Sequence, residues 1–338
     1  MNQFLKAIIK SILFSIMLPI ASAEELSDII ASDPAIHQFT TIYVTHADDS
    51  ILTEIIDDKV IQEIPLIFSA NYVVVGRDQL YMANSTEVST LMNGTPVPIV
   101  TLPPAIVDLI THNNELYIVH GRTVSAFVNS KNISNIRLAS LISSATIKGD
   151  TIYVMHGNTL SMIVDHKIVK EIELPIFSSN VFDDPARTYL AFIGNKTYLT
   201  EHGNSFIYEI TDRTITPLIQ LDKKVDKLAF IEQNLYVVHA DDDRISLIID
   251  GKKTQEIKVS SYPGDLAVVR RKLYVANYKG DSINVIADDK KIHDIKVTKY
   301  PSALATRYFG QSLPYMLANL ENQLSRPLLY DIDIMSSV

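Results

Sequence analysis

The feature that most constrains the fold of this chain is a short motif that recurs along it. A tyrosine opens an apolar run, and a small polar turn follows within a few residues. Successive copies lie 36 to 45 residues apart, a period typical of solenoids, propellers and arrays. The copies begin at Tyr43, Tyr81, Tyr117, Tyr153, Tyr198, Tyr236 and Tyr274. We therefore expect a set of similar units that stack on one another to bury a shared core.

Each unit has the pattern of four short β-strands. The Tyr-led run is rich in β-branched and aromatic residues, and a second apolar run follows it, for example at residues 245–249. A turn dipeptide comes 12 to 14 residues after the Tyr, and a third run follows it. A link that contains Pro then leads into a fourth run, which leads in turn into the next Tyr. The dipeptides are Asp57-Asp58, Asn93-Gly94, Asn129-Ser130, Asp165-His166, Thr211-Asp212, Asp250-Gly251 and Asp288-Asp289. No unit has room for a helix, so the sequence predicts an all-β propeller with four-stranded blades.

The number of blades depends on how the ends of the chain are assigned. Seven Tyr motifs are clear, and an eighth unit is expected near the C-terminus, with strands at residues 302–307, 315–319 and 328–334. Residues 27–34 resemble residues 293–301, so an N-terminal strand is expected to complete that blade and close the ring. Closure removes free sheet edges that promote aggregation. Eight blades are favoured, and seven blades with an appended C-terminal segment are the alternative.

The N-terminal residues have the pattern of a secretory signal peptide. Lys6 and Lys10 form a basic region, residues 11–20 are apolar, and Ala21-Ser22-Ala23 is a small-residue cleavage site. The apolar stretch is shorter than the roughly 20 residues that span a bilayer, and no later stretch is long enough. We therefore expect a signal peptide at residues 1–23 and a single propeller domain at residues 24–338, located in the periplasm or outside the cell. An uncleaved membrane anchor is the alternative.

The composition excludes several kinds of chemistry. The chain has no cysteine, which excludes disulfides, thiolate metal ligands and thiol catalysis. Its formal net charge is −9 at pH 7. Because phosphate contacts supply most of the affinity of proteins for nucleic acids, this charge does not favour a general nucleic-acid binder.

The repeat resembles a known family. Residues 273–277, Leu-Tyr-Val-Ala-Asn, with residues 283–288 and Tyr300-Pro301 behind them, look like the YVTN-type β-propeller repeat of bacterial exported propellers and archaeal surface-layer proteins. The resemblance covers nearly all of the chain after the leader and is strongest over residues 236–308. It implies a propeller with a scaffolding or cell-surface role and, in one enterobacterial relative, single-stranded DNA binding. It implies no catalytic residue set.

Histidines recur at one position of the motif. His46, His120, His156 and His239 occupy it, and His202 lies one residue later in its unit. A metal cluster is one reading of such a pattern. However, equivalent positions in neighbouring sheets lie about 10 Å apart, whereas zinc needs each nitrogen at about 2 Å. We therefore predict no metal site, and we expect each His to bond to the backbone of its own turn.

Acidic residues cluster in the turn that follows the Tyr strand. They are Asp48-Asp49, residues 241–243 and Asp281. Ca²⁺ prefers six to eight oxygen ligands, but the spacing here matches no known calcium loop. We expect these turns to be solvated.

Basic residues cluster at the opposite end of the last units. The meander places the turn between first and second strands and the turn between third and fourth strands at the same end of a blade. The residues in those turns are Lys252, Lys253, Arg270, Arg271, Lys272, Lys290 and Lys291. A local basic patch can attract an anionic partner despite a negative net charge, whereas lysines in hairpin turns can also serve only solubility.

Three functional hypotheses follow. The first is an exported, non-catalytic binding or scaffold protein whose partner is a protein or surface ligand, and for this reading we predict no cofactor. The second is an enzyme or metalloprotein with a site at the axial mouth of the propeller, where Asp108, Asp226, Asp265 and Arg307 are the candidates. The third is anionic-ligand or single-stranded nucleic-acid binding through the basic residues. The chain contains no nucleophile elbow, no HExxH and no P-loop, so non-catalytic binding is favoured.

Overall fold

The computed structural model describes residues 39–76, 79–92, 94–103, 106–174, 188–194, 196–211 and 214–309. The chain divides into two compact units. One is Thr41–Arg307, and the other joins Met1–Thr40 with Tyr308–Val338. The first unit contains the repeats, whereas most of the second lies outside the described residues.

The described residues form β-strands and one short 3-10 turn at Ala240–Asp242. The strands are β1 (Phe39–His46), β2 (Ile51–Ile56), β3 (Lys59–Pro65), β4 (Tyr72–Val75), β5 (Leu80–Ala83), β6 (Glu87–Met92), β7 (Thr95–Thr101), β8 (Ile106–His112), β9 (Glu115–His120), β10 (Thr123–Val128), β11 (Lys131–Arg137), β12 (Ile142–Lys148), β13 (Thr151–His156), β14 (Thr159–Val164), β15 (Lys167–Glu173), β16 (Thr188–Ile193), β17 (Lys196–Glu201), β18 (Phe206–Thr211), β19 (Thr214–Gln220), β20 (Lys227–Ile231), β21 (Asn234–His239), β22 (Arg244–Ile249), β23 (Lys252–Lys258), β24 (Pro263–Val269), β25 (Lys272–Asn277), β26 (Ser282–Ala287), β27 (Lys290–Lys296) and β28 (Pro301–Phe309).

These strands form seven four-stranded antiparallel sheets, which are the blades of a β-propeller. Blades 2 to 7 each use four consecutive strands: β4–β7, β8–β11, β12–β15, β16–β19, β20–β23 and β24–β27. Every Tyr motif lies on the second strand of its blade, because the fourth run of each unit forms the first strand of the next blade. The prediction of an all-β propeller with four-stranded blades is therefore confirmed.

The prediction of eight blades is wrong, because blade 1 combines the two ends of the repeat region. Its strand order is β28-β1-β2-β3, so β28 is the first strand of the blade that contains Tyr43. The hydroxyls of Thr45 and Ser302 lie 3.1 Å apart, and Ala47 N donates to Tyr300 O at 3.0 Å. The strand expected to begin an eighth blade therefore completes the first one. The partners are some 250 residues apart in sequence, so no local pattern could reveal the pairing.

The blades are held together by apolar side chains that pack between neighbouring sheets. One core cluster joins Val119 and Val124 of blade 3 to Ile142 and Val154 of blade 4. A second cluster joins Val238 of blade 6 to residues of blade 7 in the same way. Consecutive residues of a strand are apolar because each blade is packed on both faces: Val119 belongs to the cluster with blade 4, whereas Ile118 beside it belongs to a cluster with blade 2.

The outer hairpins owe their shape to the predicted turn dipeptides. Both residues of Asp57-Asp58 and of Asp288-Asp289 have positive φ, between 47° and 63°. Two such residues in succession form the type I′ turn that suits the twist of a β-hairpin. The register between third and fourth strands then shifts by one residue, for example between Val285 and Ile286. Such bulges twist an outer strand and disfavour edge-to-edge pairing.

Some predictions concern residues outside the described part of the chain. These are the signal peptide at residues 1–23, the strand at residues 27–34 and the strands at residues 315–319 and 328–334. Among the described residues, no helix has the length and apolar character needed to cross a membrane.

Candidate functional site

The two ends of the blades differ in what they carry. We name the end with the turns between first and second strands and between third and fourth strands the hairpin face. We name the other end, with the links between blades, the linker face. All first strands begin at the linker face because each follows a link. The predicted basic residues lie at the hairpin face of blades 6 and 7: Lys252, Lys253, Arg270, Arg271, Lys272, Lys290 and Lys291.

Carboxylates accompany several of these basic residues. Lys253 Nζ lies 2.8 Å from Asp222 and 3.0 Å from Glu256, and Arg271 lies 3.3 Å from Glu232. Two further pairs are Lys272–Asp58 at 2.6 Å and Lys291–Asp294 at 2.9 Å. The structure therefore brings the basic residues to one face and also compensates much of their charge.

The acidic turns at the linker face have a structural role that the sequence reading missed. The carboxylate of Asp243 accepts a hydrogen bond from Tyr262 N at 2.7 Å, and that of Asp281 accepts one from Tyr300 N at 3.2 Å. Each carboxylate thus fastens the link that leads into the next blade. In the described part of the chain, no group of three or more His, Asp or Glu is arranged to hold a metal ion.

The recurrent histidines bond differently from the prediction. His46 Nδ1 lies 2.9 Å from Lys299 O in the link that enters its blade, and its Nε2 lies 2.8 Å from Thr53 Oγ1 on the third strand. His239 has the same two partners in blade 6, Lys224 O at 2.6 Å and Ser246 Oγ at 2.8 Å. The expectation of a bond to the residue's own turn is wrong. The ring instead joins the second strand to the third strand and to the incoming link.

The other motif histidines make the hydroxyl contact as well. His120 Nε2 lies 2.8 Å from Ser125 Oγ, and His156 Nε2 lies 2.7 Å from Ser161 Oγ. Burial is the main cause that lowers the pKa of His46, His120, His156 and His239. The Nδ1–H of His46 and of His239 donates to a carbonyl oxygen, so Nε2 accepts the hydroxyl proton and the ring is neutral. In blades 3 and 4 the hydroxyl donates to a different residue, Asn135 or Glu171, so Nε2 of the ring donates to the hydroxyl. A neutral imidazole can be enclosed without the cost of burying a charge.

A polar cavity of about 390 Å³ lies on the propeller axis, where the first strands of all seven blades begin. We name it the axial cavity. Asp108 and Asp265 line it, as predicted. Asp226 and Arg307 are not among its described lining residues. Asp226 instead accepts a hydrogen bond from Ala240 N at 2.6 Å and lies 3.2 Å from His202 Nδ1.

The axial cavity is built from one equivalent position in each blade. In six blades the cavity residue lies on the first strand, opposite the second-strand residue that comes just before the motif position held by His or Asn in most blades. Lys227 is opposite Val238 in this way, and Asp265 is opposite Ala276. Blade 1 contributes a residue of β28. The set is Tyr72, Asp108, Ser144, Tyr189, Lys227, Asp265 and Ala303. Six of the seven residues have a hydroxyl, carboxyl or ammonium group, so the wall of the cavity can bond to a polar ligand.

An ion pair between Lys227 and Asp265 dominates the charge in the axial cavity. The second carboxylate oxygen of Asp265 accepts a hydrogen bond from Leu304 N at 2.7 Å. Burial alone would lower the pKa of Lys227, but the carboxylate of Asp265, with contributions from Tyr189 and Asp108, raises it overall. Lys227 is therefore charged and keeps a third of its side-chain surface accessible.

Sequence reasoning missed Lys227, although it named Asp226 beside it. The signal that could have found it is register. Lys227-Leu228 aligns with Asp108-Leu109 and Asp265-Leu266, since each pair opposes the end of the Tyr strand.

Comparisons with known proteins identify the fold. No protein-family profile matches the chain, and no curated protein matches it. Among solved structures, apo AztD from Citrobacter koseri is similar at 14% identity and a TM-score of 0.61, over 80% of this chain and 98% of that one. A putative 6-phosphogluconolactonase from Bacteroides fragilis is similar at 12% identity and a TM-score of 0.60, over 82% and 99%.

A third similar structure is a catalytically inactive virginiamycin B lyase from Staphylococcus aureus with quinupristin. It has 14% identity and a TM-score of 0.54, over 77% of this chain and 89% of that one. At these identities the likeness shows the fold alone. The chain is a β-propeller of the size of these proteins.

Proposed function

We propose that this chain is an exported, non-catalytic binding protein of the YVTN propeller type, and that its ligand is a small zwitterion held in the axial cavity. The observation that carries the proposal is the ring of equivalent polar positions, with Lys227 and Asp108 on non-adjacent blades. Export rests on the predicted leader at residues 1–23, and the family on the motif at residues 273–277.

The size of the axial cavity supports a small ligand. Binding pockets commonly have volumes of roughly 300–1,000 Å³, and about 390 Å³ lies near the lower end of that range. A ligand of the size of a free amino acid fits this volume.

The distribution of charge supports a ligand that has both signs. The cavity presents an ammonium group at Lys227 and a carboxylate at Asp108, with the hydroxyls of Ser144 and Thr188 also in the lining. The carboxylate of a zwitterion would face Lys227, and its ammonium group would face Asp108. Hydrogen bonds to charged groups are the stronger ones, so such a ligand gains more than an uncharged one.

Binding without catalysis is supported by the state of the charged groups. Lys227 is held by Asp265, and Asp265 also accepts the backbone N–H of Leu304. A raised Lys pKa is the reverse of what a lysine base or nucleophile requires near neutral pH.

Calorimetric titration tests the proposal. The mature protein is titrated with each of the twenty common amino acids and with glucose as an uncharged compound of similar size. We expect at least one amino acid to bind, and glucose not to bind. Asp108→Asn and Lys227→Met should each weaken that binding by about tenfold or more, which is about 1.4 kcal/mol.

The matched control is Lys196→Met, because Lys196 is also an ion-paired lysine but pairs with Glu209 away from the cavity. It should bind like the parent. A parent protein that binds none of the amino acids, or variants that all bind equally well, would overturn the proposal.

A further inference from the structure

Three tyrosine rings lie side by side at the linker face around blade 7. Tyr262 belongs to the link from blade 6, Tyr278 to the turn after the second strand, and Tyr300 to the link into blade 1. The ring centroids of Tyr262 and Tyr278 are 6.2 Å apart, and those of Tyr278 and Tyr300 are 5.2 Å apart. Successive rings are tilted by 59° and 38°. We name these residues the tyrosine row, and each of them is partly exposed.

Two members of the row have a backbone conformation that favours glycine. Tyr262 has φ of 59° and Tyr300 has φ of 55°, and each precedes a proline. A bulky side chain makes the left-handed region costly, and the residue before a proline normally prefers an extended conformation. Strained residues of this kind are typical of binding sites, where the side chain is needed for another reason. The strain therefore indicates that the rings themselves matter at these two positions.

The third member of the row also differs from its counterparts. The residue that follows the motif position is Ala47 in blade 1 and Ala240 in blade 6, whereas it is Tyr278 in blade 7. Blade 7 therefore places a ring between the two link tyrosines at a position where its neighbours have only a methyl group.

The backbone beneath the row is fixed by close contacts. Tyr278 N donates to Tyr262 O at 2.9 Å. A Cβ on Gly280 would lie 2.8 Å from Ser260 Cβ, so the turn after Tyr278 packs tightly on the link that carries Tyr262. Rings that are held in place before a partner arrives lose less entropy on binding.

The residues of both links beside blade 7 are described. The links with undescribed residues are those from blade 2 to blade 3 and from blade 4 to blade 5. Among the described residues, no group forms a hydrogen bond with the hydroxyls of the three tyrosines. Burial, and after it the carboxylate of Asp48, raises the pKa of Tyr278, so this hydroxyl keeps the proton that it can donate.

The row offers aromatic faces and hydrogen-bond donors. Besides the hydroxyls, the exposed Lys279 has its Nζ 4.2 Å from the centroid of the Tyr262 ring. The backbone carbonyls of the turn and the link are already hydrogen-bonded, since Tyr262 O, Ser261 O and Asn277 O each accept an N–H group. A ligand that suits this surface has apolar rings and acceptor oxygens, and it has few donors of its own.

We infer that the tyrosine row binds a proline-rich segment of a partner protein in the polyproline II conformation. Proline supplies an apolar ring and a carbonyl acceptor, and it has no N–H group that would need an acceptor. Two residues of polyproline II advance about 6 Å, which is close to the 5.2 and 6.2 Å between successive ring centroids. The positive charge of Lys279 complements the carbonyl oxygens that such a segment leaves exposed.

The partner segment loses little entropy when it docks, because polyproline II is already extended before binding. Sugars also stack on aromatic rings, but their hydroxyls need acceptors as well as donors at nearly the same place. The row is separate from the axial cavity, since none of the three tyrosines is among the described residues that line that cavity. Binding at the row therefore does not depend on the zwitterion proposed above.

Fluorescence polarisation tests the inference with fluorescein-labelled decaproline as the probe and a labelled Gly-Ser peptide of equal length as the reference. We expect saturable binding of decaproline and none of the Gly-Ser peptide. Tyr278→Ala, which introduces the residue found in blades 1 and 6, should bind decaproline at least about tenfold more weakly.

Tyr300→Gly provides a second test that separates binding from folding. Glycine tolerates the positive φ at this position, so the variant should keep the parent's melting temperature while it binds decaproline more weakly. Lys279→Met should also weaken binding. The matched control is Lys290→Met, which removes an exposed lysine of the same blade at the hairpin face and should bind like the parent.

Three results would overturn the inference. One is a parent protein that does not bind decaproline, including one that binds cellotriose through the same tyrosines instead. Another is equal affinity for decaproline and the Gly-Ser peptide, which would show that the surface does not recognise proline. The third is a Tyr300→Gly protein that keeps the parent's melting temperature and binds decaproline as tightly as the parent does.

Discussion

The buried motif histidines should make this propeller sensitive to mild acid. His46, His156 and His239 are each at most 1% exposed, and burial lowers the pKa of each. In the unfolded chain a histidine titrates with a pKa of about 6.5. Below that pH the unfolded state binds protons that the native state refuses, so stability falls as the pH falls.

The magnitude follows from proton linkage. If the native imidazoles stay neutral, lowering the pH from about 7.5 to about 5.5 costs about 1.4 kcal/mol for each histidine. Three histidines give an upper limit of about 4 kcal/mol, against a typical total stability of about 5–15 kcal/mol. For His46, the hydrogen bond to Lys299 O and the carboxylates of Glu63 and Asp49 partly offset the lowering of the pKa by burial, so this residue contributes less than the limit.

The assay is urea unfolding at a series of pH values between those limits, with the free energy of unfolding extrapolated to water. The chain itself suggests the control. Blade 7 carries Asn277 at the motif position, and its side chain donates to Val275 O and Ser282 O, each at 3.0 Å. A protein in which all three histidines are replaced by Asn keeps its carboxylates but loses these titrating groups.

We expect the parent to lose stability below pH 6.5 with a steeper slope than the triple variant. Equal slopes for the two proteins would refute the reasoning, because they would assign the acid sensitivity to carboxylates alone. A parent whose stability rises as the pH falls would contradict the direction of the pKa shifts.

Three further predictions concern other parts of the molecule. Asp58→Asn should lower the free energy of unfolding by about 1–3 kcal/mol, because Tyr274 and Lys272 lose a charged partner at the junction that closes the ring. The control is Asp57→Asn at the neighbouring position, which should lower the free energy of unfolding by less when both variants are measured by urea unfolding. The double variant Lys252→Ala and Lys290→Ala, at the hairpin face, should elute from heparin at a lower salt concentration than the parent. Lys258→Ala, at the other end of β23, should elute like the parent. If the double variant also elutes like the parent, the hypothesis of an anionic-partner patch is wrong. Chelation with EDTA should leave the melting temperature unchanged, since the described residues hold no metal-binding cluster, and a lower melting temperature would show that an ion is bound elsewhere.

The repeat and its strands could be predicted because they depend on neighbours in sequence. Tyr81 or Tyr236 opens a strand through local β-propensity, and Asp57-Asp58 turns the chain because both residues tolerate positive φ. The blade count failed because it depends on Ser302 lying beside Thr45, a contact between distant parts of the chain. An eight-blade and a seven-blade assignment are both consistent with the same local patterns of strands and turns.

The candidate site could be predicted only in part. Asp108 and Asp265 were found from their place at the start of a first strand. Lys227 was missed because its significance comes from Asp265, which lies 38 residues later and becomes its neighbour only when two blades pack together. The partner of His46 was wrong for the same reason, since Lys299 comes from the other end of the repeat region.

By itself, the sequence determined the class of fold, the four strands of each blade and the turns between them. These features are set by the conformational preferences and polarity of residues a few positions apart. The tertiary structure alone decided that the described strands form seven blades and that six polar residues meet on the axis. The physical reason is that these features arise where separate blades meet, and which side chains meet there depends on how the ring closes.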